Sequence, residues 1–274
     1  MLRKRSIFSE QEDKSQKRKY KPKKIKLLEN FVSIQGEGHT QGMVAVFLRF
    51  KTCNLTSLCH ICDTALRMKT TPEAEYSIMD IIEQGKYSNY NYVITGGEPS
   101  LPIYHDEIVS FVSKLYLYTK ENNIDNCMVL FETNGFKIVE LIEKIKKEVG
   151  KSWFKENIHV VYSPKNYIIK ENKTNKEIVK EIETKIGKLL ELGISDNNLC
   201  LKMVAFDKNN KFGKTFMIIN MILSNNVVPK HIIYIMPEGV SKEELLSNNK
   251  IIYEYCITKG INFSTRIHIM HNMY

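Results

Sequence analysis

Six short apolar runs alternate with six longer amphipathic segments along this chain of 274 residues. The runs are rich in β-branched and aromatic residues, and most end at Gly or Pro, which is typical of buried parallel strands. The predicted strands are 43–50, 92–97, 127–135, 159–164, 199–206 and 231–239, and the predicted helices are 76–85, 104–122, 137–149, 176–192, 210–225 and 241–259. Because each parallel pair needs a crossover connection, this alternation predicts an α/β fold with one open parallel sheet and outer helices.

The number of βα units limits how far the sheet can close on itself. Six units are too few for an eight-stranded barrel, so we expect a partial (β/α)6 barrel. Residues 27–38 and 262–270 supply further predicted strands at the two ends of the sheet. The length suits one domain, which we place at 27–274, and the Lys/Glu-rich segment 166–185 is interpreted as a surface elaboration of that domain.

Most of the net charge lies in the first 26 residues. This segment has eleven Lys/Arg and three Asp/Glu, so it carries +8 of the formal +9. Few apolar residues and strong self-repulsion predict a disordered basic tail. A solvated extension, a targeting segment and contact with RNA, DNA or another acidic surface are its open interpretations. The folded body has no basic bias, which argues against nucleic-acid binding there.

The hydropathy pattern indicates a cytoplasmic protein. The chain has neither a run of eighteen apolar residues nor an apolar segment at its start, so we expect no membrane span and no secretory signal. In a reducing compartment, six cysteines are expected to be thiols or metal ligands rather than disulfides. Cys127, Cys200 and Cys256 lie singly in apolar runs and are interpreted as small core residues.

The other three cysteines follow the first predicted strand, in RFKTCNLTSLCHICDT. Cys53, Cys59 and Cys62 have the spacing C-x5-C-x2-C. A structural zinc site needs four ligands, and His60 is awkwardly spaced from Cys59 to complete one. A redox pair of Cys59 and Cys62 leaves Cys53 unexplained. Three thiolates instead suit a 4Fe–4S cluster with one iron open to an external ligand.

Polar and flexible residues follow four more of the predicted strands. GGEP (96–99) ends the second, ETNG (132–135) the third, SPK (163–165) the fourth and MPEG (236–239) the sixth. The carboxyl ends of parallel strands meet at one edge of a sheet, where α/β proteins build their sites. The sequence therefore predicts a functional site at this edge, together with the cysteines.

These motifs resemble the radical S-adenosylmethionine (SAM) superfamily, in which clustered cysteines after the first barrel strand are followed by GGEP after the second. SIQGEG, CDT, TGGEPSL, ETNG, YSPK, MPEG and RIHIM together resemble the 7-carboxy-7-deazaguanine synthases. The resemblance runs from about residue 27 to 274, outside segment 166–185. It implies a radical-SAM partial barrel. The usual superfamily spacing is C-x3-C-x2-C, so the gap between Cys53 and Cys59 is wider here.

The resemblance implies residues for each cofactor. Cys53, Cys59 and Cys62 would ligate the 4Fe–4S cluster, whose open iron binds SAM. The implied SAM-binding residues are Gly96, Gly97, Glu98, Pro99, Glu132, Asn134, Ser163 and Lys165. Glycines let the backbone approach a ligand closely, and a carboxylate accepts from the SAM ammonium. A tight turn remains the alternative for GGEP, and caps or turns for the other four residues.

Gln35, Glu37, Arg49, Thr95 and His268 match substrate-binding positions of the family. A carboxylate such as Glu37 suits the donor edge of a 2-amino-4-oxo pyrimidine ring. Arg49 would pair with the substrate carboxylate, because a buried arginine is costly without an anion. A structural salt bridge is its alternative, and a plain core or surface histidine is the alternative for His268.

Thr64 and Asp63, in CDT, resemble residues that help a Mg²⁺ ion meet the substrate carboxylate. A site with few protein oxygens is normal for Mg²⁺. Asp and Thr equally suit a helix N-cap after the cysteine loop.

The reaction implied by the resemblance converts 6-carboxy-5,6,7,8-tetrahydropterin to 7-carboxy-7-deazaguanine and ammonia, in queuosine and related deazapurine biosynthesis. A 5′-deoxyadenosyl radical would take hydrogen from C6, the ring would contract, and the returned hydrogen would regenerate SAM. The resemblance further implies a homodimer and an electron donor such as flavodoxin or ferredoxin. Another radical SAM activity, such as a glycyl-radical activase, and a zinc-stabilised nucleic-acid-binding module remain alternatives.

Overall fold

A computed structural model describes residues 24–55, 59, 62, 64–169, 173–205 and 212–271. The strands in these ranges are β1 (Lys24–Leu27), β2 (Glu29–Ile34), β3 (Val44–Phe50), β4 (Ala74–Ser77), β5 (Asn91–Gly96), β6 (Met128–Thr133), β7 (Ile158–Tyr162), β8 (Leu199–Ala205), β9 (Ile233–Pro237) and β10 (Asn262–Phe263). The helices are α1 (Ala65–Thr70), α2 (Ile78–Gln84), α3 (His105–Glu121), α4 (Ile138–Glu148), α5 (Lys151–Asn157), α6 (Asn175–Glu191), α7 (Gly213–Asn225), α8 (Lys242–Lys259) and α9 (Ile267–Met270). None of these helices has the length and apolar character needed to cross a bilayer.

The main sheet has eight strands in the order β10-β9-β8-β7-β6-β5-β3-β2. From β3 to β9 the neighbouring strands are parallel and follow one another along the chain, as the βα repeats predict. β2 is antiparallel to β3, and the short β10 is parallel to β9. In the described part of the chain no pairing joins β2 to β10. The predicted open, partial barrel with extra terminal strands is therefore confirmed.

The two faces of the sheet pack differently. One face joins the helices in a large apolar core that includes Leu48, Ile94 and Phe131 together with Phe111 of α3. Side chains from the opposite face form a second, smaller cluster: Ala45, Phe47, Val93, Met128, Leu130, Val161 and Cys200. Because successive side chains of a strand point to opposite faces, the second cluster marks the inner face of the partial barrel.

The predicted basic tail, residues 1–26, extends too far toward the C-terminus. Residues 24–26 belong to β1, which pairs antiparallel with β4, and the Ile25 side chain is fully buried. The apolar residues of β1 alternate with lysines, so one face of the strand is buried and the other is exposed. The high lysine content therefore suggested disorder where there is a strand. The prediction of disorder for residues 1–23 lies outside the described residues.

The described residues of segment 166–185 pack against the core instead of forming a surface elaboration. Thr174 and Glu177 form a capping box that begins α6, and Ile178 and Ile182 are buried in the core. Tyr167 is also buried, and its hydroxyl donates to the Val204 carbonyl at 2.7 Å. The lysines and glutamates that suggested a surface segment are those of an amphipathic crossover helix. The predicted helix 176–192 is confirmed.

The predicted C-terminal strand is correct only for Asn262 and Phe263, and residues 267–270 form a short helix instead. The chain leaves the sheet here because it packs against the loop that follows β2. The Gly38 amide donates to the Ser264 hydroxyl at 2.8 Å, and the Ile267 amide donates to the Gly36 carbonyl at 3.1 Å.

The packing of α6 can be tested with a matched pair of substitutions. We expect Ile182→Ala to lower the free energy of unfolding by about 2–5 kcal/mol, because it opens a cavity under a fully buried side chain. Lys180→Ala, on the exposed face of the same helix, should stay within about 0.5 kcal/mol of the original protein. Denaturant unfolding measures both, and equal small effects would restore the interpretation as a surface elaboration.

Candidate active site

The carboxyl ends of the parallel strands surround a cavity of about 1120 Å³. Its wall changes from apolar to polar along single strands. On β3 Phe47 is followed two residues later by Arg49, and both line the cavity. On β6 Leu130 belongs to the inner apolar cluster, and Glu132 then lines the cavity. The inner face therefore forms an apolar floor with a polar rim.

Most of the predicted site residues come together around this cavity. Those lining it are Gln35, Glu37, Arg49, Cys53, Cys59, Cys62, Thr64, Thr95, Gly96, Gly97, Glu132, Asn134, Ser163, Lys165 and His268. Glu98 and Pro99 are not part of the lining. Asp63 and the widened part of the cysteine loop at residues 56–58 lie outside the described residues.

The three predicted cluster ligands are half-buried thiols on the cavity wall. Burial raises the pKa of Cys53 to about 11; the Leu55 amide opposes the rise, while Glu98, Cys62 and Cys59 add to it. Among the described residues, no three His, Cys, Asp or Glu side chains converge as ligands of a single ion would. A 4Fe–4S cluster offers a separate iron to each thiolate, so its ligands need not converge on one point. This donor set fits such a cluster.

Gly96 and Gly97 bring the end of β5 against the start of the cysteine loop. The Gly97 amide donates to the Phe50 carbonyl, and the Glu98 amide donates to the Thr52 carbonyl, both at 2.8 Å. A Cβ atom on Gly96 would overlap the Phe50 backbone, and one on Gly97 would overlap Thr52. The glycines are thus needed for backbone-to-backbone contact beside Cys53, in addition to any contact with a ligand.

Glu98 faces the protein rather than the cavity. Its carboxylate accepts from the Ser100 amide at 2.9 Å, the Asn134 amide at 2.6 Å and the Thr133 hydroxyl. Burial raises the pKa of Glu98, and these hydrogen bonds oppose the rise. In this arrangement the carboxylate ties β5 to the end of β6, so the predicted contact with the SAM ammonium is not what its geometry favours.

Asn134 and Tyr104 hold the cysteine loop from two sides. The Asn134 side-chain amide donates to Asn54 at 2.9 Å and lies 4.0 Å from the Cys53 sulfur. The Tyr104 hydroxyl accepts from the Thr52 amide at 2.8 Å. The sequence did not single out Tyr104, because a tyrosine at a helix start carries no specific signal.

A buried ion network crosses the cavity between the loop after β2 and strand β6. The Lys202 ammonium lies 2.7 Å from a carboxylate oxygen of Glu37 and 2.7 Å from one of Glu132. Arg266 binds the other oxygen of Glu37 at 2.9 Å, and Gln35 donates to Glu132 at 3.1 Å. Lys202 and Arg266 were missed by sequence reasoning. The signal for Lys202 was a lone charge inside the apolar run LCLKMVAF.

The two carboxylates differ in charge environment. Burial opposes ionisation of Glu37, but the charges of Lys202 and Arg266 outweigh it and hold the pKa of Glu37 well below its ordinary value. Burial raises the pKa of Glu132, Lys202 offsets this only in part, and the charge of Glu37 adds to the rise. Glu37 has two close cations and Glu132 has one. The site therefore favours the ionised form of Glu37 more strongly than that of Glu132.

Lys165 supplies a further cation to the cavity. Its ammonium donates to the Ser163 hydroxyl at 2.8 Å and makes no ion pair with a described carboxylate. Burial lowers the pKa of Lys165, and the nearby charge of Lys202 lowers it further. A half-buried ammonium in this position favours an anionic group of a ligand.

Arg49 has a carboxylate partner within the chain. Its Nε atom lies 2.9 Å from Glu29, which also pairs with Arg67 at 3.0 Å, and its Nη1 atom donates to the Thr64 hydroxyl at 3.4 Å. The guanidinium also lies 5.8 Å from the centre of the Phe31 ring. The structural salt bridge is thus present. Two arginines share one carboxylate here, which leaves net positive charge at the cavity wall.

His268 packs on the loop after β2. A Cβ atom on Gly36 would overlap its ring, and its Nε2 atom lies 3.9 Å from Glu37. The Gln41 amide reaches both the Gly36 carbonyl at 3.0 Å and the Thr265 carbonyl at 3.1 Å. The two ends of the domain therefore form one wall of the cavity.

Comparison with known proteins gives the site a context. The chain is 34% identical over 114 residues to 7-carboxy-7-deazaguanine synthase of Haemophilus influenzae, 42% over 110 residues to that of Bacteroides thetaiotaomicron, and 35% over 141 residues to that of Aquifex aeolicus. The alignments cover 41%, 40% and 52% of this chain. Over these ranges the chain is similar to the 7-carboxy-7-deazaguanine synthases. It spans about half the length of these relatives, 46%, 52% and 55%.

No protein-family model matches the chain. Among solved structures, it is similar to the crystal structure of QueE from Escherichia coli, with 16% identity, a TM-score of 0.49, and coverage of 88% of this chain and 93% of that one. It is also similar to Streptococcus suis SuiB bound to the precursor peptide SuiA, with 16% identity, a TM-score of 0.48, and coverage of 80% and 47%.

The close approach at Gly97 predicts opposite effects for one substitution at two glycines. Gly97→Ala should lower the free energy of unfolding by about 1–3 kcal/mol, because the added methyl group must displace the Thr52 backbone. Gly187→Ala, within α6 and with open space around its Cα, should be neutral or stabilising by up to about 1 kcal/mol. Denaturant unfolding measures both. A neutral Gly97→Ala would mean that the close contact between the Gly97 and Thr52 backbones does not contribute to stability.

Proposed function

We propose that this chain is a 7-carboxy-7-deazaguanine synthase, a radical SAM lyase of deazapurine biosynthesis. It would convert 6-carboxy-5,6,7,8-tetrahydropterin to 7-carboxy-7-deazaguanine and release ammonia. One observation carries the proposal: a single cavity at the strand ends is lined both by three thiols and by the charged groups of Glu37 and Arg49. Sequence similarity to the named synthases supports the same reaction.

The cofactor side of the cavity would be formed by the cysteine loop and the ends of β5, β6 and β7. Cys53, Cys59 and Cys62 would hold a 4Fe–4S cluster, and the half-buried thiols fit that role. The Lys165 ammonium and Ser163 hydroxyl are suited to the carboxylate of SAM. Held by these residues, the cluster and SAM would supply radical chemistry for hydrogen abstraction from the substrate.

The substrate side would be formed by Gln35 and Glu37, with Thr95, Arg49 and His268 around them. The ionised Glu37 would accept from the adjacent N–H and NH₂ groups of the 2-amino-4-oxo pyrimidine ring. Arg49 would pair with the substrate carboxylate. The single carboxylate of Glu29 does not neutralise both Arg49 and Arg67, and the remaining positive charge would attract the substrate. These groups would orient the ring and exclude water from the reacting carbon.

A Mg²⁺ ion would depend on the substrate for much of its coordination. The described residues offer it the Thr64 hydroxyl, which accepts from Arg49 at 3.4 Å. A dication beside a guanidinium is unfavourable unless an anion lies between them. The substrate carboxylate would be that anion, so binding of Mg²⁺ and of substrate would be linked.

The remaining attributes follow the family resemblance. We propose a cytoplasmic homodimer that receives electrons from a flavodoxin- or ferredoxin-type donor. A glycyl-radical activase is the second candidate within the superfamily. The buried carboxylate and cations of the cavity favour a small polar substrate over a partner polypeptide.

Cluster ligation and product formation can be tested together. After anaerobic iron reconstitution, the protein should be brown and should form 7-carboxy-7-deazaguanine from SAM, reductant and 6-carboxytetrahydropterin, detected by mass spectrometry. Cys53→Ala should abolish SAM cleavage and lower the iron content, because one thiolate ligand is lost.

Cys127→Ala is the matched control, since Cys127 lies against the core outside the cavity lining. It should keep the iron and the activity. Retained activity in Cys53→Ala with loss in Cys127→Ala would reverse the ligand assignment. Bound zinc without iron would favour the zinc-stabilised nucleic-acid-binding alternative.

Arg49 can be separated from its structural salt bridge. Arg49→Lys should lower kcat/KM by about ten- to a hundredfold, equivalent to about 1.5–3 kcal/mol, because Lys cannot pair bidentately with a carboxylate. Glu29→Gln removes the internal partner but leaves Arg49 free to bind the substrate, so it should affect kcat/KM much less. Steady-state kinetics with both variants decides the role. Equal losses would make Arg49 a structural residue.

A further inference from the structure

Lys202 lies on the inner face of β8, and only 4% of its surface is exposed. Its neighbours two residues before and after on this face are Cys200 and Val204, which are also buried. A buried ammonium is costly to keep charged unless it is fully paired. Lys202 meets that requirement with two carboxylates, each at 2.7 Å.

The two carboxylates come from different walls of the cavity. Glu37 belongs to the loop after β2, and Glu132 belongs to β6. Both carboxylates pair with Lys202, and Arg266 pairs with Glu37. Removing Lys202 would leave two mostly buried carboxylates, whose side chains are 16% and 14% exposed, with Arg266 on Glu37 as the closest remaining cation. Their repulsion would favour protonation or movement.

Both oxygens of Glu37 are fixed by cations. Arg266 binds Oε1 at 2.9 Å, and Lys202 binds Oε2 at 2.7 Å. Contacts to both oxygens fix the orientation of the carboxylate, whereas a single contact would leave it free to rotate. Each oxygen keeps a second acceptor position, so the carboxylate can still receive two parallel hydrogen bonds.

We propose that Lys202 is a positioning residue for pterin recognition, which holds Glu37 in the orientation that reads the 2-amino edge of the substrate and joins it to the Glu132 wall. The inference rests on the proposed function. Lys202 does not touch the reacting carbon in this scheme. It acts through Glu37, together with Arg266, and the other charged groups facing Glu37 and Lys202 are Glu132, Lys165 and His268.

The test compares the binding of two ligands that differ at ring position 2, using the reconstituted holoenzyme. Pterin-6-carboxylate keeps the 2-amino group, whereas lumazine-6-carboxylate has a carbonyl oxygen there and would face Glu37 with an acceptor. Equilibrium dialysis gives both dissociation constants without requiring turnover. Lys202→Met is the variant, and Lys259→Met is the matched control, because Lys259 is a half-exposed lysine at the end of α8 near Tyr255 and outside the cavity lining.

The original protein and Lys259→Met should bind the pterin at least about tenfold more tightly than the lumazine, as expected for hydrogen bonds to a charged group. Lys202→Met should reduce this preference to less than about threefold, while the iron content stays unchanged. With the natural substrate, its KM should rise more than its kcat falls, because uniform binding is lost. A Lys202→Met protein that keeps the full preference would overturn the inference.

The experiment distinguishes an error in the proposed function from an error in the role of Lys202. If the original protein forms no product and binds neither ring, the proposed function is wrong and the inference falls with it. If the original protein forms product and prefers the pterin, only the behaviour of the Lys202 variant decides the inference.

A second variant guards against simple misfolding of Lys202→Met. The double variant Lys202→Met/Glu132→Gln removes the shared cation together with one negative charge, and Glu37 keeps Arg266. It should unfold at a higher temperature than Lys202→Met alone, because the buried repulsion is gone. It should still show the reduced preference for the pterin. Full preference in the double variant would mean that Arg266 alone orients Glu37, and would overturn the role of Lys202.

Discussion

Parallel pairing of six strands brings all their carboxyl ends to one rim, and the site depends on how charge is buried there. The inner face is apolar at Leu130 and Cys200, and it becomes charged at Glu132 and Lys202 two residues later on the same strands. These charges lie where water has limited access, so each needs a partner of opposite sign. The partners come from across the cavity, because Lys202 on β8 pairs with Glu132 on β6 and with Glu37 in the loop after β2.

The GGEP motif has a structural task beside its expected contact with SAM. Gly96 and Gly97 allow two strand ends to touch through their backbones, and the Glu98 carboxylate then binds the turn after β6. Asn134, at that turn, reaches back to Asn54 in the cysteine loop. A closed set of hydrogen bonds therefore joins the loop that carries Cys53 to two neighbouring strands. This arrangement explains why a motif so close to the cysteines needs residues without side chains as well as a carboxylate.

The sequence predicted what depends on local pattern, and it failed where distant segments meet. The six parallel strands and their crossover helices have clear periodicity, so their order and the open sheet were predictable. β1 and the burial of 166–185 were missed because lysine-rich segments can bury one face and expose the other. The thiols and strand-end residues were found from their motifs. The pairing of Lys202 with Glu37 was not, since 165 positions separate them in the chain.

The cavity is completed by segments from opposite ends of the domain. The loop at 35–41 and the segment at 264–268 are joined by the Arg266–Glu37 ion pair and by backbone contacts at Gly36. Because Glu37 also binds Lys202, a change in the C-terminal segment reaches β8 through one carboxylate. At the other side, Arg49 is held by Glu29, which is itself shared with Arg67. A substrate carboxylate would therefore enter an existing ion network and share its cations, rather than meet an isolated charge. The free energy of substrate binding would then be the difference between the ion pairs of the cavity with and without the substrate. Only a carboxylate placed to pair well with these cations would gain from binding.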